Sequence, residues 1–329
     1  MKKLFLSLVA LAVAAMSYAQ SSMLATLSHN GNIKMFYGVS ALKSAYNAAV
    51  NGDIITLSSG SFNAVDIAKG LTIRGAGMGI DSLSNSEPTV IVGDFKINIP
   101  STVTKRLTLE GIYHNHKITV SSEFKNGTFL KCRFNEIDSY DKLITNLTMI
   151  HCKVAYRLYT GGESNGSFVN SIINEIDGYY HNSYDFLNCV VHNKVFSEQS
   201  LGASSFKNCV LVCPEEWTIT ASGVVYNCIG ISNNKKFFED IPNTTNVVKT
   251  YAEVFKTYRG TYSDNETFEL TETAKTKYQG IDGTQVGIYG GNMPFDPIPS
   301  NPQITKCNVA AKSTADGKLS VDIEVNGAE

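Results

Sequence analysis

The feature that most constrains the fold is a short sequence phrase that recurs every 18 to 21 residues. Each copy has two or three strand-forming or polar residues followed by one small residue. The copies are Phe129–Cys132, Met149–Cys152, Phe168–Ser171, Phe186–Cys189, Phe206–Cys209 and Val225–Cys228, with Leu109–Gly111 as an earlier, degenerate copy. A period near twenty that leaves no room for a helix predicts a β-solenoid. The small residues, from Gly111 to Cys228, are therefore expected in one inward column.

A second apolar residue follows each small residue by five to seven positions. These residues are Ile118, Ile137, Leu158, Ile176 and Val195. One copy is too short to bury its apolar side chains alone, whereas stacked copies about 4.8 Å apart enclose one dry column.

The two most regular columns differ in chemistry, since one is made mainly of cysteine and the other of asparagine. Five of the seven cysteines occupy the small-residue column, where stacked side chains point in parallel. Their Cβ atoms then stay about 4.8 Å apart, which exceeds the usual disulfide spacing, so we expect buried free thiols. The redox states of Cys213 and Cys307 stay open.

A neighbouring column holds Asn170, Asn188, Asn208 and Asn227, whose amides are expected to hydrogen-bond from rung to rung.

The chain before the repeats has the pattern of a cap. Leu42, Ala45, Tyr46 and Ala49 fall on one face of a short helix, Ser40 can be its N-cap, and the strand Ile54–Leu57 follows. With the repeat, this opening resembles the right-handed parallel β-helix superfamily, the pectate-lyase-like fold of secreted bacterial proteins, over roughly residues 35–290. The resemblance implies an all-β fold, a right-handed parallel β-helix with a short N-terminal capping helix. That fold hosts many activities, so it assigns none.

Four regions are predicted. Residues 1–19 have the pattern of a signal peptide: Lys2 and Lys3, an apolar run over 4–15, and a small residue at the expected cleavage site, Ala19. Residues 20–292 form the coil with its irregular closing segment, 293–302 a stiff proline-rich linker, and 303–329 a β-hairpin with alternating apolar residues. The expected location is outside the cytoplasm: secreted, at the cell surface or periplasmic. No transmembrane segment is predicted after the signal, and a formal charge of −2 does not suggest a nucleic-acid partner.

A column of charge is the main candidate site. Lys117, Glu136, Arg157, Glu175 and Lys194 precede the second apolar positions, and Thr119, Asp138, Tyr159, Asp177 and Phe196 follow them. One interpretation is a structural ladder, because opposite charges on neighbouring strands fix register. The other is a site in which Glu136, Arg157 and Glu175 are catalytic and Asp138, Tyr159, Asp177 and Tyr179 bind ligand. Glu136 and Glu175 would lie about 9.6 Å apart, near the limit for an inverting glycosidase.

The aromatic and histidine residues allow weaker interpretations. Five tyrosines lie close together in the sequence: Tyr156, Tyr159, Tyr179, Tyr180 and Tyr184. They could form a face on which sugars stack, or they could pack on the outside of the coil in the ordinary way. His114, His116, His151, His181 and His192 are expected to be solvated turn residues. Neither a metal site nor a cofactor is predicted, since a straight ladder does not form a tetrahedron of ligands.

The motifs that mark polygalacturonases are absent from the sequence: Asn-Thr-Asp, Asp-Asp, Gly-His-Gly and Arg-Ile-Lys. The sequence therefore favours a non-catalytic exported protein that binds a glycan or matrix polysaccharide, or that is structural. The alternative is a polysaccharide lyase or glycoside hydrolase acting on an acidic polysaccharide.

Overall fold

The chain folds into a parallel β-solenoid of about eight turns. The computed structural model describes residues 23–79, 87–178, 181–192, 203–214, 216, 218–220, 223–241, 245–261, 263, 266–300, 303–309, 316–318 and 320–326. The predicted fold class is confirmed: a mostly β chain of stacked parallel strands with few helices and a C-terminal antiparallel pair.

Two long sheets form the walls of the coil. Along its stacking direction, sheet A contains β2 (Asn32–Tyr37), β1 (Leu24–His29), β3 (Ile54–Leu57), β5 (Thr72–Arg74), β8 (Thr108–Glu110), β11 (Thr128–Leu130), β14 (Leu147–Ile150), β16 (Asn165–Val169), β19 (Ser183–Leu187), β21 (Ser205–Lys207) and β23 (Val225–Tyr226). Sheet B contains β4 (Gly60–Asn63), β6 (Thr89–Val92), β9 (Ile112–Val120), β12 (Arg133–Asp138), β15 (Lys153–Thr160), β17 (Ile172–Ile173), β20 (Val190–His192), β22 (Val210–Cys213), β24 (Ile229–Ser232) and β25 (Val247–Lys249), with β7 (Phe95–Ile97) beside β9 and β18 (Ile176–Gly178) beside β15. The shorter elements are β10 (Phe124–Lys125), β13 (Ile144–Thr145), β26 (Gln303–Val309), β27 (Val321–Asn326), α1 (Ala41–Ala48), α2 (Tyr251–Val254) and α3 (Glu272–Lys277).

The N-terminal end is closed by a hairpin as well as a helix. Helix α1 packs on the first strands through Leu42, Ala45 and Tyr46, as predicted, although the Ser40 side chain makes no capping hydrogen bond. Helix α1 also contacts both strands of the N-terminal hairpin. The hairpin β1–β2 pairs antiparallel to β3 and extends sheet A by two strands, so the sheet edge at this end is β2.

The inner column follows the repeat, with one correction. Strand pairing aligns Leu109, Phe129, Met149, Phe168, Phe186, Phe206 and Val225. The rings of Phe168, Phe186 and Phe206 stack with neighbouring centroids 4.8 Å apart. Gly111, expected in the small-residue column, is one residue out of register, since Glu110 pairs with Leu130 and Tyr113 with Arg133. The buried residue in line with the cysteines is therefore Ile112.

The column beside the cysteines is made of residues with left-handed backbone. Lys131, His151, Asn170, Asn188, Asn208 and Asn227 all have φ between 43° and 55°, and Gly111 has φ 61°. Asparagine tolerates this conformation better than most residues with a Cβ. The asparagine column thus marks the turn between sheets A and B in each rung.

Six cysteines are buried free thiols: the five of the inward column and Cys213. The cysteine sulfurs of the column approach the carbonyl oxygen two residues earlier, for example Cys209 Sγ to Lys207 O at 3.2 Å. Ser171 fills the same role with Oγ donating to Val169 O at 2.8 Å and accepting from Cys152 N at 3.0 Å. Burial raises the pKa of the Cys152 thiol to about 12. Such a thiol stays protonated and unreactive at neutral pH.

Thiol titration of denatured, unreduced protein should therefore detect at least these six cysteines, while native protein should react slowly. Cys209→Ser should cost only about 1 kcal/mol of folding free energy, because Ser171 shows that the column offers a hydroxyl both donor and acceptor partners. The converse variant Ser171→Cys is the matched control and should also be nearly neutral in urea denaturation. Fully blocked thiols in the denatured protein would contradict the free-thiol assignment.

A second hydrophobic core lies on the outside of sheet B. Its inner side consists of apolar residues on the outer face of late rungs: Ile172, Val190, Val210, Val212, Ile229 and Ile231. Residues from the closing segment cover this face: Val254, Phe255, Tyr258, Phe268, Leu270, Ala274, Val286 and Ile288. The closing segment, which looks polar and irregular in sequence, is thus a packed cover.

The chain then turns back along the coil. Residues 287–300, here called the strap, run over the left-handed column toward the N-terminal end. Gly287 N donates to Asn208 O at 2.8 Å, and Asn170 Nδ2 donates to the carbonyls of Ile288 and Gly290, both at 2.8 Å. The expected rung-to-rung bonding of this amide is therefore wrong, because the strap takes both of its donors.

The far half of the strap is fixed by charge. His151 Nε2 lies 3.0 Å from Met293 O, and Lys131 Nζ binds Asp296 Oδ2 at 2.7 Å and also the carbonyl of Ile298. Ser300 N donates to Glu110 Oε1 at 2.9 Å. Residues 293–300, predicted to be a linker, are instead held against three rungs of the coil.

Candidate functional site

The predicted charge column lies on the outer face of sheet B. Strand pairing aligns Ile118, Ile137, Leu158 and Ile176 as predicted, and all four are buried. Strands β9 and β15 each have one residue more than β12 just before this point, so the register shifts between Phe134 and Glu136. These bulges set Glu136 beside Lys117 and Arg157. Val195, Lys194 and Phe196 lie outside the described residues.

The side chains form a paired network, here called the charged cluster: Lys117, Glu136, Asp138, Arg157 and Asp177. Arg157 Nη2 donates to Glu136 Oε1 at 2.9 Å, and Arg157 Nη1 lies 3.8 Å from Asp177 Oδ2. Lys117 Nζ donates to Asp138 and lies 3.8 Å from Glu136 Oε1. Glu136 therefore meets a cation on each neighbouring strand, as the ladder interpretation requires.

One detail of the ladder differs from the prediction. Within the described part of the chain, Arg157 makes its second ion pair with Asp177 and not with Glu175. The register places Glu175 beside Arg157, since Leu158 N donates to Glu175 O, but the side-chain pair forms one position further on. The expected partner of Glu175 on its other side, Lys194, is not among the described residues.

The cations of the charged cluster are held in their ionised forms. The hydrogen bond to Asp138 raises the pKa of Lys117, and the hydrogen bond to Glu136 raises the pKa of Arg157. Asp138 also accepts from Tyr140 N at 2.8 Å. Both carboxylates nearest the centre of the charged cluster thus have strong donors already.

Aromatic rings lie beside the charges. The Arg157 guanidinium is 4.9 Å from the ring centre of Tyr159 and 5.7 Å from that of Tyr156, which is 49% exposed. On the preceding rungs, Arg133 stacks over Tyr113 at 4.3 Å. Sequence reasoning missed this pair; its signal is that Tyr113 and Arg133 are the first residues after the cysteine column in successive strands. Tyr179, predicted to bind ligand, and Tyr180 lie outside the described residues.

Several aromatic and histidine expectations are wrong. Tyr184 is not on an outer face: it is buried inside the coil, with Oη 2.7 Å from Thr160 Oγ1. His114, His151 and His192 are not solvated but buried, and burial lowers the pKa of each. In the described residues, no three His, Cys, Asp or Glu side chains are grouped as metal ligands would be.

Comparisons with protein-family models, with curated proteins and with solved structures found no match to this chain. No helix of the described residues is long and apolar enough to cross a membrane. The fold and the site geometry are therefore the basis for an assignment of function.

Proposed function

We propose that the chain is an exported, non-catalytic β-helix that binds a glycan or matrix polysaccharide, or serves structurally, through the outer face of sheet B. The observation that supports the proposal is the pairing inside the charged cluster. Glu136 and Asp138 already accept hydrogen bonds from Arg157 and Lys117. Carboxylates held in this way stabilise the register of neighbouring rungs.

The second candidate, a lyase or hydrolase with Glu136, Arg157 and Glu175 as catalytic groups, has less support. A general base must be able to lose its proton near the working pH. The ion pair with Glu136 raises the pKa of Arg157, which moves the group away from that role. The cation also lies between Glu136 and Asp177, where an acid–base pair of carboxylates would need room for substrate.

The rings beside Arg157 supply the surface for a sugar. Tyr156 and Tyr159 offer apolar faces with polar tips, and Asp177, whose side chain is about half exposed, adds an acceptor on the same face of the sheet. Saccharides present matching apolar patches and hydroxyls. Export of the chain is part of the proposal and rests on the signal-like residues 1–19.

The test combines a glycan array with an assay for new reducing ends and unsaturated products on acidic polysaccharides. Wild-type protein should bind and should release no product. Arg157→Ala should lower the free energy of unfolding by about 1 kcal/mol and change glycan affinity by only a few-fold, since ion pairs that remain partly exposed to solvent contribute little. Tyr156→Ala/Tyr159→Ala should weaken binding about tenfold.

Tyr37→Ala is the matched control, because Tyr37 is an exposed tyrosine on the N-terminal hairpin, away from the charged cluster. It should leave glycan binding unchanged. If the protein cleaves an acidic polysaccharide and Arg157→Ala abolishes cleavage without lowering the melting temperature, the enzymatic candidate replaces the proposal.

A further inference from the structure

The two ends of the coil carry surfaces that fit each other. The first is a cleft of about 770 Å³ at the C-terminal end, lined by Ser232, Asn233, Lys235, Lys236, Phe238, Glu239, Asn246, Val248, Lys249, Thr250 and Glu253. Strand β25 is the terminal strand of sheet B at this end. Among the described residues no strand pairs with the other edge of β25, so the cleft lies beside an edge where another strand can be added.

The floor and rim of the cleft differ in chemistry. Val248 and Phe238 pack against the inner core and are partly buried. Along β25, Val248 points inward and its neighbour Lys249 lies on the opposite face of the strand, because successive side chains alternate. The two glutamates of the lining are each within reach of a lysine: Glu239 of Lys236 at 2.8 Å and Glu253 of Lys249 at 3.4 Å. With Lys235 added, the cleft has an excess of positive charge.

The second surface is strand β27 of the C-terminal hairpin. Val321, Ile323 and Val325 are each more than half exposed and share one face of the strand. Asp322 and Glu324 are also exposed and lie on the opposite face. Added to the edge of β25, this strand would place apolar residues over Val248 and Phe238 and carboxylates beside Lys249, so both faces match at once.

The strap prevents a chain from filling its own cleft. Ser300 is fixed to Glu110, and only two residues separate it from Gln303 at the start of the hairpin. Val325 in β27 pairs with Ile304, so this end of β27 stays within about 20 Å of Ser300. The cleft lies beyond Asn227, six rungs further along the coil from Gly111, which is about 29 Å. The hairpin thus emerges at one end of the coil and the cleft opens at the other.

From this complementarity we propose that copies of this chain assemble head to tail, with β27 of one copy added as a strand to β25 of the next. The contact is heterologous: it joins two different surfaces and leaves both outer ends of a dimer able to bind again. The assembly is a growing row of coils, and its affinity should fall with added salt because charge contributes to the contact.

The test is sedimentation of the purified full chain in reducing buffer over a range of concentrations up to about 0.1 mM, where contacts of micromolar affinity are populated. The weight-average mass of the wild type should rise past that of a dimer. Asp322→Lys/Glu324→Lys, and separately Lys235→Glu/Lys249→Glu, should each weaken association at least about tenfold, because like charges then meet. Lys43→Glu/Lys96→Glu changes two exposed lysines elsewhere and should leave association unchanged.

The decisive experiment mixes the two charge-reversed variants. Neither associates alone, but each hairpin then meets a cleft of opposite charge in the other variant, so the equimolar mixture should again grow past dimers. A mixture that stops at heterodimers would indicate symmetric pairing of hairpins and would overturn the proposal. A wild type that stays monomeric, or that associates equally well with either surface reversed, would overturn it too; an unchanged melting temperature for each variant excludes misfolding as the cause.

Discussion

Phe255→Ala should lower the free energy of unfolding by about 3–5 kcal/mol, the cost typical of a large aromatic residue removed from a packed core. Phe255 is fully buried in the second core, with its ring 5.4 Å from that of Tyr258 and 5.8 Å from that of Phe268. Its backbone also bridges to Leu270, so it joins the two halves of the cover. Urea denaturation of wild type and variant gives the difference.

The matched control is Ile281→Ala, in the same closing segment but 78% exposed. It should change stability by less than about 0.5 kcal/mol. A Phe255→Ala variant as stable as this control would mean that the cover contributes little to holding the coil together. The structure predicts the opposite, because the cover shields valines and isoleucines of four successive rungs.

Acid should destabilise the protein through His192. This histidine is buried under the cover, with Nδ1 3.2 Å from Tyr258 Oη and its ring against Phe268. Burial lowers the pKa of His192 to about 3, against an ordinary value of 6.5. Between these values the unfolded chain binds a proton that the folded chain does not. The stabilisation is therefore fully present well above pH 6.5 and is lost as the pH falls, by about 2.7 kcal/mol between pH 7.5 and 4.5.

His192→Phe should reduce the acid-dependent loss of stability by that amount, measured by urea denaturation at pH 7.5 and 4.5. His114 and His151, whose pKa values burial also lowers, leave part of the slope in both proteins. Tyr258→Phe is the control: it keeps the titrating imidazole and should keep the slope. Equal losses in wild type and His192→Phe would show that His192 is not the source.

The inner column could be predicted because each rung repeats the same physical requirement. Only apolar or small residues fit a column closed on all sides, so the period appears in the sequence as Phe, Cys and Ile. Gly111 was misplaced by one position because glycine satisfies two different requirements. It is small enough for the inward column, and it also accepts the left-handed turn that it occupies. Only strand pairing distinguishes the two.

The sequence of the rungs indicates that their outer face is buried, whereas the sequence of the covering segment does not show that it covers them. Ile172 and Ile173, Val190 and Val191, and Val210 to Val212 are continuous apolar runs, and such runs indicate strands buried on both faces. The residues that cover them, from Val254 to Ile288, are spread through turns and short helices without a period. Their role follows from tertiary packing, which the local sequence does not encode.

The charged cluster was predictable in register and not in pairing. The period places Lys117, Glu136 and Arg157 on neighbouring strands, and the structure agrees. The choice of Asp177 over Glu175 by Arg157 depends on side-chain length and direction, which a Cα alignment does not contain. The prediction that the histidines are solvated is wrong for a related reason. The strap and the cover that bury His151 and His192 come from more than sixty residues away in the sequence.

The strap changes how the coil can unfold. A stack of rungs with contacts only between neighbours melts progressively from its ends, since each rung is lost at its own cost. Here a single segment spans the rungs from Asn208 to Glu110, so none of these rungs can separate from its neighbours while the strap holds. Amide hydrogen exchange across these rungs should then occur in one cooperative step, and the strap can dock only after the rungs beneath it exist. The tail that closes the molecule is thus the last part to fold and the part that joins the separate turns into one thermodynamic unit.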